Sequence, residues 1–114
     1  MTDCIFCKIA AGEIPASIVY DDEHVLAFRD INPQAPVHVI VIPKRHIRTL
    51  NDLSPEDAGL IGQMFLAARQ VASDLGVADS GYRTLINCNR DGGQDVFHVH
   101  MHLLAGRMMG WPPG

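Results

Sequence analysis

The chain has 114 residues, of which 47% are hydrophobic and 19% are charged, and its formal net charge at pH 7 is −4. These values predict one folded globular domain over residues 1–114 rather than a disordered chain. The acidic charge argues against a nucleic-acid-binding surface, no apolar run approaches the ~20 residues of a membrane span, and the N-terminal MTDCIF lacks a signal-peptide pattern, so we expect a cytoplasmic protein that binds neither nucleic acid nor a membrane.

The first part of the chain is predicted to form a short helix followed by three strands. Residues 4–10 (CIFCKIA) favour a short helix that ends at Gly12. An acidic run at 21–23 suits a turn between the first two strands, and Asn32 and Pro33 form a loop before the third. The strands are predicted at residues 18–20, 25–29 and 37–42, the last of which is strongly β-branched and stops at Pro43.

A long helix is predicted over residues 55–75. Ser54 is a suitable N-cap, Pro55 suits the first helical position, acidic residues follow in the first turn, and Gly76 suits the C-terminal end. Apolar side chains recur at spacings of three and four and are expected to form one stripe in the core. They are Leu60, Ile61, Met64, Phe65, Ala68, Val71, Ala72 and Leu75.

Two further strands, at residues 82–88 and 99–104, complete a predicted sheet of five strands. Hairpin-like connections between most of the strands favour antiparallel pairing, with the helices on one face of the sheet. The predicted fold class is therefore α+β.

The stretch FHVHMHLL at residues 97–104 places three of the six histidines at alternate positions. Alternation is the side-chain period of a β-strand, so His98, His100 and His102 would share one face and point outward. The residues of the other face, which would enter the core, are Phe97, Val99, Met101 and Leu103. A solvated strand face or a metal-binding strand are the simplest interpretations. Three imidazoles that span ~13 Å cannot all reach one metal ion, although two adjacent ones could.

The loop NRDGGQDV at residues 89–96 precedes these histidines. The Gly-Gly pair most simply makes a tight turn. The functional alternative is that the backbone N–H groups of residues 92–95 point toward a bound anion. Beside three aligned imidazoles, such a loop favours nucleophilic catalysis at phosphorus, in which one imidazole attacks, a neighbour protonates the leaving group and amides stabilise the phosphoryl oxygens.

Three cysteines make a poor disulfide framework. Cys88 lies in an apolar run and is expected to be a small core residue. Cys4 and Cys7, at C-x-x-C spacing, are half of a metal site, a redox pair, or two small residues on a short helix.

Together these motifs resemble those of the histidine triad (HIT) family. HVHMHLL at residues 98–104 is similar to its H-x-H-x-H-x-x signature. Four further segments resemble the Hint branch of the family, the purine nucleoside phosphoramidases. They are the Gly-Gly-Gln loop, FRDINPQAP from Phe28, IPKRHI from Ile42 and the ending GWPPG from Gly110. The resemblance covers nearly the whole chain. It implies a HIT-like fold and hydrolysis of the P–N bond of purine nucleoside 5′-phosphoramidates through a nucleotidyl-histidine intermediate.

The resemblance also implies roles for individual residues. His100 would be the nucleophile, with His98 and His38 as supporting neighbours and His102 facing the leaving group. Asp30 would accept hydrogen bonds from the ribose hydroxyls. The apolar residues of the base pocket would be Ile5, Phe6, Ile9, Phe28 and Ile31. The residues on the phosphate side would be Asn87, Gly93, Gln94, Asp95 and Val96.

Asp95 departs from the family pattern, because the animal members have serine at this position. A carboxylate repels a phosphate group unless it is protonated or directed toward the leaving group. Asp95 therefore either favours a cationic amine leaving group or points away from the site.

The resemblance also implies a structural zinc ion held by Cys4, Cys7, His46 and His98. The C-x-x-C pair would supply two thiolates, and two imidazoles would complete a closed tetrahedron. Some histidine triad proteins with an N-terminal C-x-x-C bind zinc in this way, whereas other relatives have no metal, so two unliganded cysteines are the alternative. No cofactor is expected to be needed for catalysis.

A homodimer is predicted, because an antiparallel sheet leaves edges that a second copy can cover. The resemblance implies that the helix 55–75 and the strand 82–88 form the interface and join two sheets into one continuous sheet. The tail around Trp111 would then reach toward the active site of the partner.

Two other functions stay open on the sequence. A dinucleoside polyphosphate hydrolase, as in the Fhit branch, would use the same histidine chemistry. A zinc-binding or nucleotide-binding regulatory protein would have little turnover.

Overall fold

Five strands form one antiparallel sheet in the structure, a computed structural model that describes residues 3–114. The strands are β1 (Ile18–Asp21), β2 (Val25–Arg29), β3 (Val37–Pro43), β4 (Tyr82–Leu85) and β5 (Met101–Ala105). Their order across the sheet is β1-β2-β3-β5-β4, and every neighbouring pair is antiparallel. The predicted five-stranded antiparallel sheet is confirmed.

The helices are α1 (Ile5–Ala10), α2 (Ala58–Asp74) and α3 (Asn89–Gly92), with short 3-10 turns at Leu50–Asp52 and Pro55–Asp57. As predicted, the helical segment begins after Ser54, whose backbone N–H donates to Asp57 Oδ2 at 2.9 Å, but its first turn is the 3-10 turn and α2 itself begins at Ala58. Within residues 3–114, no helix is long and apolar enough to cross a membrane.

Both faces of the sheet are covered, so the prediction of helices on one face is wrong. Val39 and Val41 of β3 belong to the same core cluster as Met64 and Val71 of α2. Ile40, between them, belongs to a second cluster on the other face of the sheet. On that side, Phe6 of α1 packs in the cluster formed by Leu26, Phe28, Ile40 and Ile42. The physical reason is that β3 is apolar at successive positions, so each of its faces requires a cover.

The predicted core stripe of the long helix is confirmed except at Phe65, since Leu60, Ile61 and Leu75 pack against the buried residues. Its buried residues are Met64, Ala67, Ala68, Val71 and Ala72. Phe65, which was expected in the core, is 49% exposed, and its neighbour Leu66 is 56% exposed. Both lie beside the stripe, on helix surface that the sheet does not cover.

The segment between β4 and β5 is also more structured than predicted. β4 ends at Leu85 rather than residue 88, and the predicted loop contains α3, which is followed by the C-cap residue Gly93 with φ +80°. Cys88 precedes α3 and is half-buried, so it is not the core residue that was expected. β5 begins at Met101, so His98, at the end of a bend over residues 96–98, and His100 both precede the strand.

Candidate active site

The predicted row of histidines is present, but two of them are buried rather than directed outward. His98 has no exposed surface and His100 is 2% exposed, whereas His102 is half-buried. The reason is α1, whose Phe6 ring centroid lies 5.9 Å from that of His98 and 5.0 Å from that of His100. Phe97, which was expected in the core, is exposed and carries the Arg48 guanidinium 4.5 Å from its ring centroid.

One hydrogen bond determines the tautomer of His100. Its Nδ1 lies 2.7 Å from the backbone carbonyl oxygen of His98. A carbonyl can only accept, so Nδ1 carries the proton. Neutral His100 therefore has a lone pair on Nε2, and Asp95 Oδ1 lies 3.6 Å from that nitrogen. An imidazole held in this way can act as a nucleophile.

A second chain of hydrogen bonds determines the tautomers of His38 and His102. The backbone N–H of Gln34 donates to His38 Nδ1 at 3.0 Å, so neutral His38 carries its proton on Nε2. That Nε2 lies 2.9 Å from His102 Nδ1, which must then accept. The proton of neutral His102 is therefore on Nε2, where it can be donated to a bound group.

Burial keeps these imidazoles neutral. It lowers the pKa of His38, against the opposing charge of Asp30, and it lowers the pKa of His98. For His102, burial together with His100 and His38 lowers the pKa from 6.5 to about 4. The charged form is disfavoured in each case because the ring is removed from water.

A cavity of about 330 Å³ opens between α1, the end of β2 and the histidines, and it is here called the nucleotide cavity after the ligand that the sequence resemblance implies. It includes every residue of the predicted base pocket as well as Asp30, and its size suits a small ligand. The predicted site residues on its wall are Ile5, Phe6, Ile9, Phe28, Asp30, Ile31, Asp95, Val96, His100 and His102.

Five wall residues of the nucleotide cavity were missed by sequence reasoning: Ile14, Pro15, Ala16, Arg29 and Ile40. The strand period could have found Ile40, because it shares a face of β3 with His38. The segment 14–16 between α1 and β1 carries no such signal.

Asp30 lies at the edge of the nucleotide cavity next to His38. Its Oδ1 accepts the backbone N–H of Asn32 at 2.8 Å, and its Oδ2 lies 3.4 Å from His38 Nε2. The carboxylate can therefore accept further hydrogen bonds from a ligand while it stays close to the hydrogen-bonded pair of His38 and His102.

The loop before the histidines is organised by its own hydrogen bonds. The N–H of Gly93 donates to the Arg90 carbonyl and the N–H of Gln94 donates to the Asn89 carbonyl, so these two groups do not point toward an anion as expected. The buried Gln94 side chain accepts from Asn89 N–H at 2.9 Å and donates to the carbonyls of Arg48 and Val96. Gly93 and Gln94 thus hold the loop in its conformation. Among the described residues 3–114, Asn87, Gly93 and Gln94 are not part of the wall of the nucleotide cavity.

Four predicted metal ligands lie together beneath α1. They are Cys4, Cys7, His46 and His98, whose ligand atoms all lie within 4.8 Å of one another. His46 Nδ1 is 3.2 Å from His98 Nδ1, and Cys7 Sγ is 3.3 and 3.5 Å from these two atoms. Cys4 Sγ is 3.3 Å from His98 Nδ1. These residues are therefore close enough to bind a metal ion.

The spacing of the four ligand atoms fits a tetrahedral zinc ion. Bonds of ~2.3 Å to sulfur and ~2.0 Å to nitrogen would separate a sulfur and a nitrogen ligand by about 3.5 Å and two nitrogen ligands by about 3.3 Å. His98 Nε2 lies 2.7 Å from the Pro43 carbonyl oxygen, so its proton is on Nε2 and Nδ1 presents a lone pair to the cluster. Burial and the adjacent Cys4 raise the pKa of the Cys7 thiol to about 11, so an ion would have to displace that proton.

Comparisons with known proteins agree with this geometry. A family model described as the HIT domain matches residues 11–109. The purine nucleoside phosphoramidase of Escherichia coli K12 is 51% identical over 108 residues, which cover 95% of this chain and 91% of that protein. A HIT-like protein of Synechocystis sp. is 53% identical over 112 residues, covering 98% of this chain and 97% of that one. The crystal structure of a HIT family hydrolase from Legionella pneumophila has a TM-score of 0.96 at 52% identity, covering 98% of this chain and 100% of that chain.

Proposed function

The chain belongs to the HIT domain family and is a hydrolase. On that premise we propose that it hydrolyses the P–N bond of purine nucleoside 5′-phosphoramidates through a nucleotidyl intermediate on His100. The name of the Escherichia coli relative, purine nucleoside phosphoramidase, supports this substrate class.

The observation that carries the proposal is the hydrogen bond from His100 Nδ1–H to the His98 carbonyl oxygen at 2.7 Å. It leaves Nε2 as the attacking atom on the wall of the nucleotide cavity. In the first step Nε2 forms a bond to phosphorus, the P–N bond breaks, and its electron pair stays on the leaving nitrogen.

His102 supplies the proton that the leaving nitrogen requires. The anionic phosphate group of a bound substrate raises the low pKa of His102, which then takes up a proton from water. Protonation at Nδ1 requires His38 Nε2–H to shift its hydrogen bond from His102 to Asp30 Oδ2, which is 3.4 Å away. The protonated His102 donates to the leaving nitrogen and returns to its neutral form as the amine departs.

The second half of the reaction regenerates the enzyme. A water molecule attacks phosphorus, the P–Nε2 bond breaks, and its electron pair returns to His100. Neutral His102 accepts the proton that the water loses, so one residue acts first as an acid and then as a base. The product is the nucleoside 5′-monophosphate.

In this proposal, apolar side chains bind the base and a carboxylate binds the ribose. The apolar side chains of α1 and β2, including Ile5, Phe6, Ile9 and Phe28, enclose the base. Asp30 accepts the ribose hydroxyls at the edge of the cavity. Ile31 is fully exposed there and covers the outer side of the base.

His100→Ala tests the proposal directly. The variant should lose hydrolysis of an adenosine 5′-phosphoramidate by several orders of magnitude and still bind adenosine monophosphate. Rapid quenching and mass spectrometry of the unaltered protein should find the nucleotidyl adduct on His100. The matched control is His24→Ala, an exposed histidine outside the site, which should keep full activity.

Three results would contradict the proposal. They are full activity of the His100→Ala protein, faster hydrolysis of dinucleoside polyphosphates than of phosphoramidates, and tight nucleotide binding without turnover. The second result would favour a dinucleoside polyphosphate hydrolase, and the third a regulatory protein.

We also propose that Cys4, Cys7, His46 and His98 hold a structural zinc ion, which would fasten α1 to the segment that carries the histidines. The ion takes no part in the steps above. Because its thiolates require a reducing environment, a cytoplasmic location is part of the same proposal. We further propose that two copies assemble as a homodimer.

A further inference from the structure

A second cavity, of about 490 Å³ and here called the side cavity, opens beside the nucleotide cavity at the start of α1. Ile5, Asp95 and Val96 belong to the walls of both cavities, so the two meet at these residues. A substituent on a phosphorus atom bound near His100 can therefore extend into the side cavity.

Asp95 lies where the two cavities meet. Its side chain is 77% exposed, and its Oδ1 lies 3.6 Å from Nε2 of the buried His100. A reacting phosphorus atom must approach that nitrogen to within roughly 3–3.5 Å. Any group on phosphorus that points into the side cavity consequently passes close to the Asp95 carboxylate.

The wall of the side cavity combines acidic and apolar groups with Cys4 and His46, two of the four candidate metal ligands. Asp3 supplies a second carboxylate, and Ile5 and Phe97 supply exposed apolar surface. Arg48 opposes the acids, but its guanidinium is stacked on the ring of Phe97. Such a wall suits an amine with an apolar stem and a positively charged end, and it repels a phosphate or carboxylate.

On the basis of the proposed function, we propose that the side cavity is the leaving-group site and that Asp95 selects its charge. Phosphoramidates of diamines, in which the far amine is an ammonium group, are then preferred substrates. Leaving groups that end in a carboxylate or phosphate are rejected. Asp95 thus acts as a specificity residue, and the attack by His100 proceeds as described above.

A matched set of three substrates tests this selection. Each is an adenosine 5′-phosphoramidate of an alkyl amine of equal length, ending in an ammonium, a methyl or a carboxylate group, so the bond that breaks is the same. The unaltered protein should show a kcat/KM about tenfold higher for the ammonium than for the carboxylate substrate. High salt should reduce this ratio, because both charges are exposed.

Variants assign the effect to one side chain. Asp95→Asn should bring the ratio of ammonium to carboxylate kcat/KM close to one, and Asp95→Glu, which keeps the charge, should preserve it. Asp91→Asn is the matched control, since Asp91 is an exposed carboxylate on α3 that pairs with Arg90 at 3.0 Å outside both cavities. It should leave the ratio unchanged.

The outcomes separate this inference from the proposed function. Equal kcat/KM for the three substrates, or an unchanged ratio in Asp95→Asn, would overturn the charge selection while the phosphoramidase function stands. Absence of hydrolysis with all three substrates would overturn the phosphoramidase function itself.

Discussion

At the scale of single residues, the main chain determines which nitrogen of each histidine carries the proton. Backbone carbonyls accept from His98 Nε2 and His100 Nδ1, each at 2.7 Å, and the backbone N–H of Gln34 donates to His38 Nδ1. Backbone amides do not titrate, so these assignments do not change with pH around neutrality. The main chain thereby leaves a lone pair on Nε2 of neutral His100, the proposed nucleophile, and on Nδ1 of neutral His98, which faces the four candidate metal ligands.

The low pKa of His102 makes folding stability depend on pH. Between about pH 4, its pKa in the folded protein, and pH 6.5, its ordinary value, the unfolded chain binds a proton that the folded protein does not. The free energy of unfolding therefore rises with pH across this window and falls as the pH drops, by at most ~1.4 kcal/mol per pH unit from this residue.

His102→Gln should remove that share of the slope. The measurement is urea unfolding at several pH values across the window, with His24→Gln as the control, because His24 is exposed. An unchanged slope in His102→Gln would contradict a pKa lowered by burial.

The effect of removing His102 on kcat/KM should also be larger for substrates whose amine is a poor leaving group. His102→Ala is expected to reduce kcat/KM by about 10²–10⁴ for an alkyl amine, which requires a proton as it departs. The reduction should be much smaller for an aromatic amine that departs readily. The measurement compares the two substrates in one assay, and an equal loss for both would rule out proton donation by His102.

The sequence pattern predicts that His98, His100 and His102 lie close together, but it does not predict their environment. Only His102 lies within β5, so the strand period alone does not account for the positions of His98 and His100. The burial of His98 and His100 depends on α1, which is distant in sequence: Cys4, the N-cap of α1, precedes His98 by 94 residues. The inward role of Gln94 also depends on a distant partner, the carbonyl of Arg48.

At the scale of secondary structure, α1 lies between the four candidate metal ligands and the nucleotide cavity. Its six residues are too few for a stable isolated helix, so its position depends on what it contacts. Phe6 packs edge-to-face on Phe28 with ring centroids 5.5 Å apart, and Cys4 and Cys7 anchor the N-terminal side. Loss of the anchor should therefore disturb the cavity wall that Ile5, Phe6 and Ile9 form.

Metal removal tests this link. Protein purified without chelator is expected to contain about one zinc ion per chain, and Cys4→Ser should lose it and unfold at a lower temperature, by roughly 4–8 °C for each kcal/mol of lost binding. The matched control is Cys88→Ser, a free cysteine outside the cluster, which should keep the zinc. Substoichiometric zinc that does not respond to Cys4→Ser would contradict the proposed zinc site.

The secondary structure was predictable where the pattern is local. The start of the helical segment that leads into α2 follows from Ser54 and Pro55, and β3 follows from its β-branched run. The end of β4 and the existence of α3 were missed, because Ile86 and Cys88 continue the alternation of the strand but residues 86–88 leave the sheet to carry the chain toward Gln94. No local signal distinguishes such a segment from a continuing strand.

At the scale of the whole molecule, α2, the edge strand β4 and the C-terminal segment each expose large apolar side chains. Phe65 and Leu66 are exposed on α2, and Tyr82 is exposed on β4, which is an edge strand of the sheet. Near the C-terminus, Met108 and Trp111 are exposed as well. An edge strand with unpaired backbone groups beside exposed apolar side chains suits pairing with a second copy of the chain.

Assembly as a dimer can be tested through this side of the molecule. If α2 and β4 form a two-fold interface, Leu66 is buried in the dimer, and Leu66→Glu would place a charge against its symmetry-related copy. Light scattering at micromolar concentration should then give twice the chain mass for the unaltered protein and the mass of one chain for Leu66→Glu. The matched control is Ile18→Glu, because Ile18 is similarly exposed but lies on β1 at the opposite edge of the sheet. A monomeric mass for the unaltered protein, or dissociation caused by Ile18→Glu and not by Leu66→Glu, would contradict an interface on α2 and β4.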